Sequence, residues 1–205
     1  MKNLLILTIT LLFSTSIFSQ TSEKASQKGK WFFGVELGLN TITSIHPEQP
    51  NSLQGGVLAE YYFAKQWSLN ARIKYLKTGV SHQNETIRAI FEGAIVSIPL
   101  NIKWEYRITP KLNGNLKLGM ALNQEVKSEY DYPEHAPTDY DTFYTCINPG
   151  LGLNYFISPN TAIYVNYEVY VLGNDRGDSN FNWIRIIPNS PENNLINVGI
   201  KHCFK

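Results

Sequence analysis

Eight segments of the chain alternate apolar side chains with small or polar ones, and two very different kinds of connection join them. The segments are residues 31–40, 54–63, 67–78, 92–108, 114–126, 146–157, 161–172 and 195–204. Successive side chains of a β-strand point to opposite faces, so each segment predicts a strand with one apolar face. The connections after the second, fourth and sixth segments have 3, 5 and 3 residues, whereas the other four are residues 41–53, 79–91, 127–145 and 173–193. One end therefore carries tight turns and the other carries long loops.

This pattern predicts an all-β fold: an eight-stranded antiparallel up-and-down transmembrane β-barrel that occupies residues 31–205. A transmembrane barrel strand needs about 9–11 residues, and bacterial barrels combine short periplasmic turns with longer extracellular loops. The short connections are therefore predicted to be periplasmic turns, and the four long ones to be extracellular loops. A soluble eight-stranded barrel of the lipocalin kind also alternates and closes on itself, and it is the alternative fold.

The composition of the two faces separates these folds. The face opposite the apolar one is rich in Gly, Ser, Asn and Ala, which suits the cramped interior of a narrow barrel. Charged residues make up 17% of the chain, below the roughly 25% that is usual for soluble proteins. Seven aromatic residues lie on the apolar face at the short-turn end: Trp31, Phe63, Trp67, Trp104, Tyr106, Tyr155 and Phe204. At one depth they form an aromatic girdle at the bilayer interface, which favours the membrane barrel.

The first 30 residues are predicted to lie outside the barrel. A single basic residue, Lys2, precedes an uncharged apolar run that is shorter than a membrane-spanning helix, and polar residues follow it. This order predicts a secretory signal peptide over residues 1–20 and a short periplasmic segment over residues 21–30. An N-terminal membrane anchor is the alternative, because the cleavage site is poorly marked.

The two cysteines are predicted to be free thiols. Cys146 begins the sixth segment near the long-loop end, and Cys203 lies near the end of the eighth segment, at the short-turn end. Both segments run in the same direction, so the two residues should lie about 20–30 Å apart along the barrel axis. A disulfide needs Cα atoms within about 7 Å.

The last segment stops on an aromatic residue, Phe204, one residue before the last residue of the sequence, and this resembles the closing strand of bacterial outer-membrane barrels. The architecture as a whole resembles the small outer-membrane β-barrel-domain proteins of Gram-negative bacteria, and the segment SIPLNIKWEY at 97–106 is the most family-like local match. The resemblance implies an outer-membrane location, contact with outer-membrane lipid, and a terminal aromatic signal for the barrel-assembly machinery. We expect a monomer without a cofactor.

The inward face of the predicted barrel contains both signs of charge. Buried charges persist only when they are paired, so these residues predict a salt-bridge network. Its predicted members are Glu36, Glu60, Arg72, Lys74, Lys103, Glu105, Arg107, Lys117, Glu168 and Lys201. An eight-stranded barrel has little room beyond its own side chains, so the network is predicted to be a structural polar core. An ion or proton pathway is the alternative.

The long loops are the candidate contact surfaces. The third loop combines acidic and aromatic residues, including Tyr132, Asp139, Tyr140 and Asp141, which suits a partner surface or a loosely bound cation. The fourth loop contains Arg176, Gly177 and Asp178, the tripeptide that some host adhesion receptors recognise. We therefore expect any envelope or host protein to bind through these loops.

Little in the chain suggests catalysis. Ser81 and His82 lie near the outer rim, where a related class of barrels that deacylates lipid A keeps its serine and histidine. Adjacent strand residues face opposite sides, however, so these two cannot act as nucleophile and base for each other. No histidine or cysteine pair has the spacing of metal ligands. Without Lys2 the chain has 17 basic and 17 acidic residues, a balance that disfavours nucleic acid as a partner.

The sequence therefore predicts a non-enzymatic outer-membrane barrel with a structural or binding role through its loops. An accessory role in protein export is one form of that role, since some members of the family serve secretion machines. An outer-leaflet lipid-modifying enzyme is the alternative from another functional class.

Overall fold

Nine antiparallel β-strands make up the part of the chain that the structure, a computed structural model, describes: residues 27–43, 52–83, 88–131, 143–172 and 192–204. The strands are β1 (Trp31–Thr43), β2 (Ser52–Tyr62), β3 (Trp67–Gln83), β4 (Arg88–Arg107), β5 (Leu112–Asp131), β6 (Phe143–Ile147), β7 (Gly150–Ser158), β8 (Thr161–Leu172) and β9 (Glu192–His202). These described residues include no helix that is long and apolar enough to span a membrane.

The strands close into a barrel with eight positions. Strands that follow one another in the chain pair with each other, except β6 and β7, and β1 pairs with β9 from Phe33 opposite His202 to Thr43 opposite Glu192. Strands β6 and β7 both lie between β5 and β8, so together they fill one position. The predicted eight-stranded antiparallel barrel is confirmed.

The sixth predicted strand differs from the prediction, because residues 148 and 149 interrupt it. Pro149 has no backbone N–H to donate to a ladder, so the strand divides there. The gap is bridged by a hydrogen bond from the Asn148 backbone N–H to the Gly119 carbonyl, at 2.8 Å, and by one from Val169 N–H to the Pro149 carbonyl, at 3.0 Å. The barrel wall therefore continues across the interruption.

Three neighbouring strands extend further toward the loop end than predicted. Strands β3 and β4 pair as far as Gln83 opposite Arg88, so residues 79–83 and 88–91, predicted to be loop, belong to strands. Strand β5 reaches Asp131 alongside β4. These strands have 17, 20 and 20 residues, well above the number that crosses a bilayer. Outside the bilayer neither face has to be apolar, so the sequence alternation that marks the membrane-spanning part is not needed there.

The two faces of the wall are inverted relative to a soluble protein. Large apolar side chains such as Leu37, Ile73 and Leu118 are exposed on the outer surface. Charged side chains of the inner face, such as those of Glu36 and Arg72, are buried inside the barrel. A lipocalin-like barrel turns polar side chains to water and keeps an apolar interior for its ligand, so this arrangement excludes that alternative.

Aromatic side chains surround the turn end of the outer surface, as the alternation predicted. The ring centroids of Trp31 and Tyr61 are 4.9 Å apart, and those of Trp104 and Tyr106 are 5.3 Å apart. The ring centroids of Phe204 and Phe33 are 6.2 Å apart, so an aromatic residue just beyond β9 contacts the first strand. Such belts mark the level of the lipid head groups.

Loss of the terminal aromatic should impair assembly of the barrel. The Phe204 side chain is 67% exposed, so Phe204→Ala removes little packing, and we expect it to reduce the amount of folded protein in the outer membrane severalfold while export is retained. The matched control is Phe63→Ala, since Phe63 is an outward aromatic at the same end and is 45% exposed. Immunoblots of unheated membrane fractions give both amounts. Equal loss for the two variants would show that the girdle, rather than the terminus, is what matters.

Two apolar layers cross the lumen near its ends. The loop-side layer consists of Leu76, Ile95, Ala121, Cys146, Tyr170 and Leu195. The turn-side layer consists of Phe32, Tyr62, Phe156, Ala162 and Cys203. The two cysteines belong to different layers and both are free, as their positions on the strands predicted. The sequence alternation placed these side chains on the inner face, but their apolar layers were not predicted.

The free thiols give a direct chemical test of strand order. We expect the protein, unfolded without reductant, to take up two equivalents of an alkylating reagent, and the intact mass measures this number. In the folded barrel both thiols are buried, so alkylation should be slow. An intramolecular disulfide would require the two apolar layers to meet, which contradicts the barrel.

Candidate functional site in the barrel lumen

A cluster of five charged side chains occupies the middle of the lumen. This central cluster consists of Glu36, Arg72, Lys74, Lys117 and Glu168. Lys117 Nζ lies 2.5 Å from Glu168 Oε1, and Lys74 Nζ lies 2.9 Å from Glu36 Oε1. Arg72 pairs with Glu168 and lies 3.6 Å from Glu36. Three cations therefore share two carboxylates.

A second cluster lies closer to the turn end. This turn-side cluster consists of Glu60, Lys103, Glu105 and Lys201. Lys103 pairs with Glu60 and lies 2.7 Å from Glu105 Oε1. Lys201 Nζ lies 2.7 Å from Glu60 Oε2 and 3.6 Å from Glu105 Oε1. Two cations and two carboxylates thus balance each other.

Amide and phenol groups add hydrogen bonds to the central cluster. Asn197 accepts from Lys74 at 3.0 Å and donates to Glu168 at 2.9 Å. Arg72 Nη2 donates to Asn101 Oδ1 at 2.9 Å, and the Tyr164 hydroxyl donates to Glu36 at 3.0 Å. Such hydrogen bonds help to offset the cost of burying charge. Within the described residues, Arg72 Nε and Glu168 Oε2 are the atoms of these two side chains that have no hydrogen-bond partner.

The turn-side cluster is supported in the same manner. The Tyr62 hydroxyl and the Asn154 amide each donate to Glu105 Oε1 at 2.6 Å. Ser68 donates to Glu60 at 2.5 Å. Lys201 also donates to the Tyr62 hydroxyl, at 2.9 Å. Tyr62 therefore links the charged groups to the turn-side layer, of which it is a member.

Glycines opposite the long side chains make room for the central cluster. Gly150 pairs with both Lys117 and Glu168, and a Cβ added there would lie 2.6 Å from Lys117 Cε. Gly199 pairs with Tyr164, and an added Cβ would lie 2.4 Å from the tyrosine ring. The small residues of the inner face thus set where the large charged ones fit.

Little open space remains between the two clusters. A cavity of about 10 Å³ lies there, and side chains of both clusters line it, including Arg72, Lys117 and Lys201. This volume is close to what a single water molecule needs. An apolar layer lies on either side of the two clusters. The carboxylates are engaged by cations and are out of contact with bulk solvent, so the arrangement suits structural support rather than acid–base chemistry.

Nine of the ten predicted lumen residues lie in these clusters, and Arg107 does not. Arg107 is the last residue of β4, it is half-buried, and its Nε donates to the Thr109 carbonyl at 3.3 Å. The chain turns immediately after it, which holds the guanidinium at the rim. The predicted loop contacts lie outside the described residues: Tyr132, Asp139, Tyr140, Asp141, Arg176, Gly177 and Asp178.

The amides and phenols of the lumen were missed as functional partners. Asn101, Asn197 and Tyr164 lie on the inner face of strands that carry the charges, and Asn154 lies on the inner face of β7, which carries none. The regular recurrence of Asn on that face could have indicated them. Within the described ranges, no three His, Cys, Asp or Glu side chains come together as metal ligands would.

Ser81 and His82 lie in β3 and pair with Ile90 and Ala89 of β4. His202 is exposed near the turn end, where its Nδ1 lies 2.9 Å from Thr161 Oγ1. Ser81 and His82, the candidate residues of the enzymatic alternative, are therefore adjacent residues of a paired β-strand.

An apolar outer surface, a closed ladder and a charged interior together define a transmembrane β-barrel protein. The family described as "outer membrane protein beta-barrel domain" matches residues 9–202, so the chain belongs to that family and is a protein of the cell outer membrane. No curated protein sequence matches the chain.

Solved structures of other small barrels share the fold. The outer membrane protein OprG of Pseudomonas aeruginosa superposes with a TM-score of 0.59 at 10% identity, over 87% of this chain and 98% of its own. Neisserial surface protein A gives 0.56 at 14% identity, over 89% and 100% of the two chains. Ail, the attachment invasion locus protein of Yersinia pestis, gives 0.53 at 14% identity, over 86% and 99%. At such identities the similarity shows the fold alone.

Proposed function

We propose that the protein is a non-enzymatic barrel that holds its loops at the cell surface to bind a partner. The observation that carries this proposal is the filled lumen. Ligand pockets usually have about 300–1,000 Å³, whereas the central cavity has about 10 Å³. A barrel with so little free space in its lumen is suited to presenting loops rather than to conducting ions or enclosing a substrate.

The charge of the loop sequences suggests the chemistry of the partner. The segments between strands at the loop end, residues 44–51, 84–87, 132–142 and 173–191, have seven acidic and two basic residues. Ail has been solved in complex with the heparin analogue sucrose octasulfate, a polyanion. Like charges across an interface cost binding energy, so acidic loops favour a basic partner instead. Tyr132, Asp139, Tyr140 and Asp141 are the proposed contacts.

The experiment is a pulldown from crosslinked outer membranes. We expect a loop variant with Asp139→Asn, Tyr140→Ala and Asp141→Asn to lose most of the protein that the unaltered chain captures. The matched control is Asp178→Asn in the fourth loop, which tests the adhesion tripeptide separately. If the captured protein includes export components, an accessory role in export is supported. Identical capture by the unaltered chain and the third-loop variant would contradict the proposal.

Mass spectrometry of lipid A separates this function from the enzymatic alternative. We expect the same acyl-chain pattern in cells with and without the protein. A loss of acyl chains that requires the protein, and that Ser81→Ala abolishes, would replace the binding function by a lipid hydrolase.

A further inference from the structure

The charged residues at the turn end of the barrel have one sign. Beyond the turn-side cluster, the described charged side chains are Lys28, Lys30, Lys65, Arg107 and Lys111, which we call the basic rim. The described acidic residues lie either in the lumen clusters or toward the loop end. The barrel is therefore electrically asymmetric, with a basic turn end opposite acidic loop sequences.

The basic rim is supplied by the N-terminal segment, by two turns and by the end of β4, where Arg107 lies. Lys65 lies in the turn of residues 63–66, and Lys111 lies in the turn of residues 108–111. Lys28 and Lys30 belong to the N-terminal segment. Hydrogen bonds from Gly29 N–H to the Tyr62 carbonyl, at 2.7 Å, and from Gln27 Nε2 to the Pro159 carbonyl, at 3.1 Å, fasten that segment to the turn end. The rim is thus part of the folded barrel.

The position of the rim relative to the membrane identifies what it meets. Lys65 lies between Phe63 and Trp67, two outward aromatics of the girdle, and Lys65 and Lys111 are exposed. Aromatic side chains of this kind mark the head-group level of the bilayer. A lysine can place its apolar stem along the barrel surface and its ammonium group among the head groups. The turns have only 4, 4 and 2 residues, so they keep the charges close to that plane.

We propose that the basic rim is a binding site for anionic phospholipid head groups of the periplasmic leaflet. A basic residue near an anionic membrane surface strengthens binding roughly fivefold, so several in one rim select anionic over zwitterionic lipid. The acidic loop sequences at the other end would repel the same head groups. The rim therefore also favours one orientation of the barrel. This inference does not depend on the loop function proposed above.

Lipid retention by the purified full chain tests the proposal. The protein is placed in nanodiscs of phosphatidylethanolamine with one-fifth phosphatidylglycerol. The lipids that remain bound after the protein is extracted from the nanodiscs are identified by native mass spectrometry. We expect phosphatidylglycerol to be enriched. The double variant Lys65→Gln, Lys111→Gln should lower the enrichment at least fivefold, and salt should weaken it in the unaltered chain.

The control carries the same loss of charge at the opposite end. Lys77→Gln with Lys127→Gln removes two exposed lysines toward the loops, and we expect it to leave the enrichment unchanged. The gel mobility of unheated samples verifies that each variant is folded. Equal retention of both lipids, an enrichment that the Lys65 and Lys111 changes do not alter, or an equal loss in the control would overturn the proposal. Charge-dependent sedimentation with purified cell wall, without lipid preference, would assign the rim to an anionic wall polymer instead.

Discussion

Glu168→Gln should destabilise the barrel by about 3–5 kcal/mol, the range for removing one partner from a buried ion pair. Glu168 contacts Arg72, Lys74 and Lys117, and its side chain is fully buried. Glutamine keeps the shape and the hydrogen-bonding oxygen but leaves three cations with one carboxylate. The free energy of unfolding from reversible urea titrations in lipid vesicles measures the effect.

The matched variant is Lys117→Met, which removes a cation from the same cluster. The stem of Lys117 is replaced by an apolar chain of similar length, and Arg72 and Lys74 then balance Glu36 and Glu168. We therefore expect a cost of less than about half that of Glu168→Gln. Equal costs would mean that the excess of cations in the central cluster does not control its stability.

Leu118→Arg should destabilise the barrel by about 2–4 kcal/mol, because it places a charge in the middle of the lipid-facing surface. Leu118 is 63% exposed and pairs with Ile102 near the midpoint of the transmembrane part of β5. The matched control is Leu53→Arg, since Leu53 is 72% exposed but is the second residue of β2, at the loop end. Near an interface the same change should cost about 0–1 kcal/mol.

The same urea titrations compare the two arginine variants. A larger loss in the free energy of unfolding for Leu53→Arg than for Leu118→Arg would mean that the middle of the bilayer lies closer to Leu53, at the loop end of the barrel. No cost at either position would mean that the exposed apolar face does not meet lipid.

The inner and outer faces of the barrel could be predicted from the sequence because side chains alternate between the two faces with a period of two residues. Every lipid-facing position needs an apolar side chain, and a slip of one residue would expose the lumen charges to lipid. The lumen residues were found for the same reason, since Glu36, Arg72 and Glu168 interrupt apolar strands only on one face.

The ion pairs themselves could not be predicted. Arg72 and Glu168 are 96 residues apart on β3 and β8, which are not neighbours in the sheet, and they meet only because the barrel is closed. The break at Pro149 was also missed, because inward and outward positions continue in step from Cys146 to Asn154 and hide it. Strand ends beyond the bilayer were missed since no lipid imposes alternation there.

The central claim is that the chain forms a closed barrel in the outer membrane, and the most direct test is its gel mobility after cell fractionation. The protein should be found in the outer-membrane fraction, and unheated samples should migrate faster than heated ones because the closed barrel resists detergent. A protein found in the soluble periplasmic fraction, with one mobility before and after heating, would contradict the account.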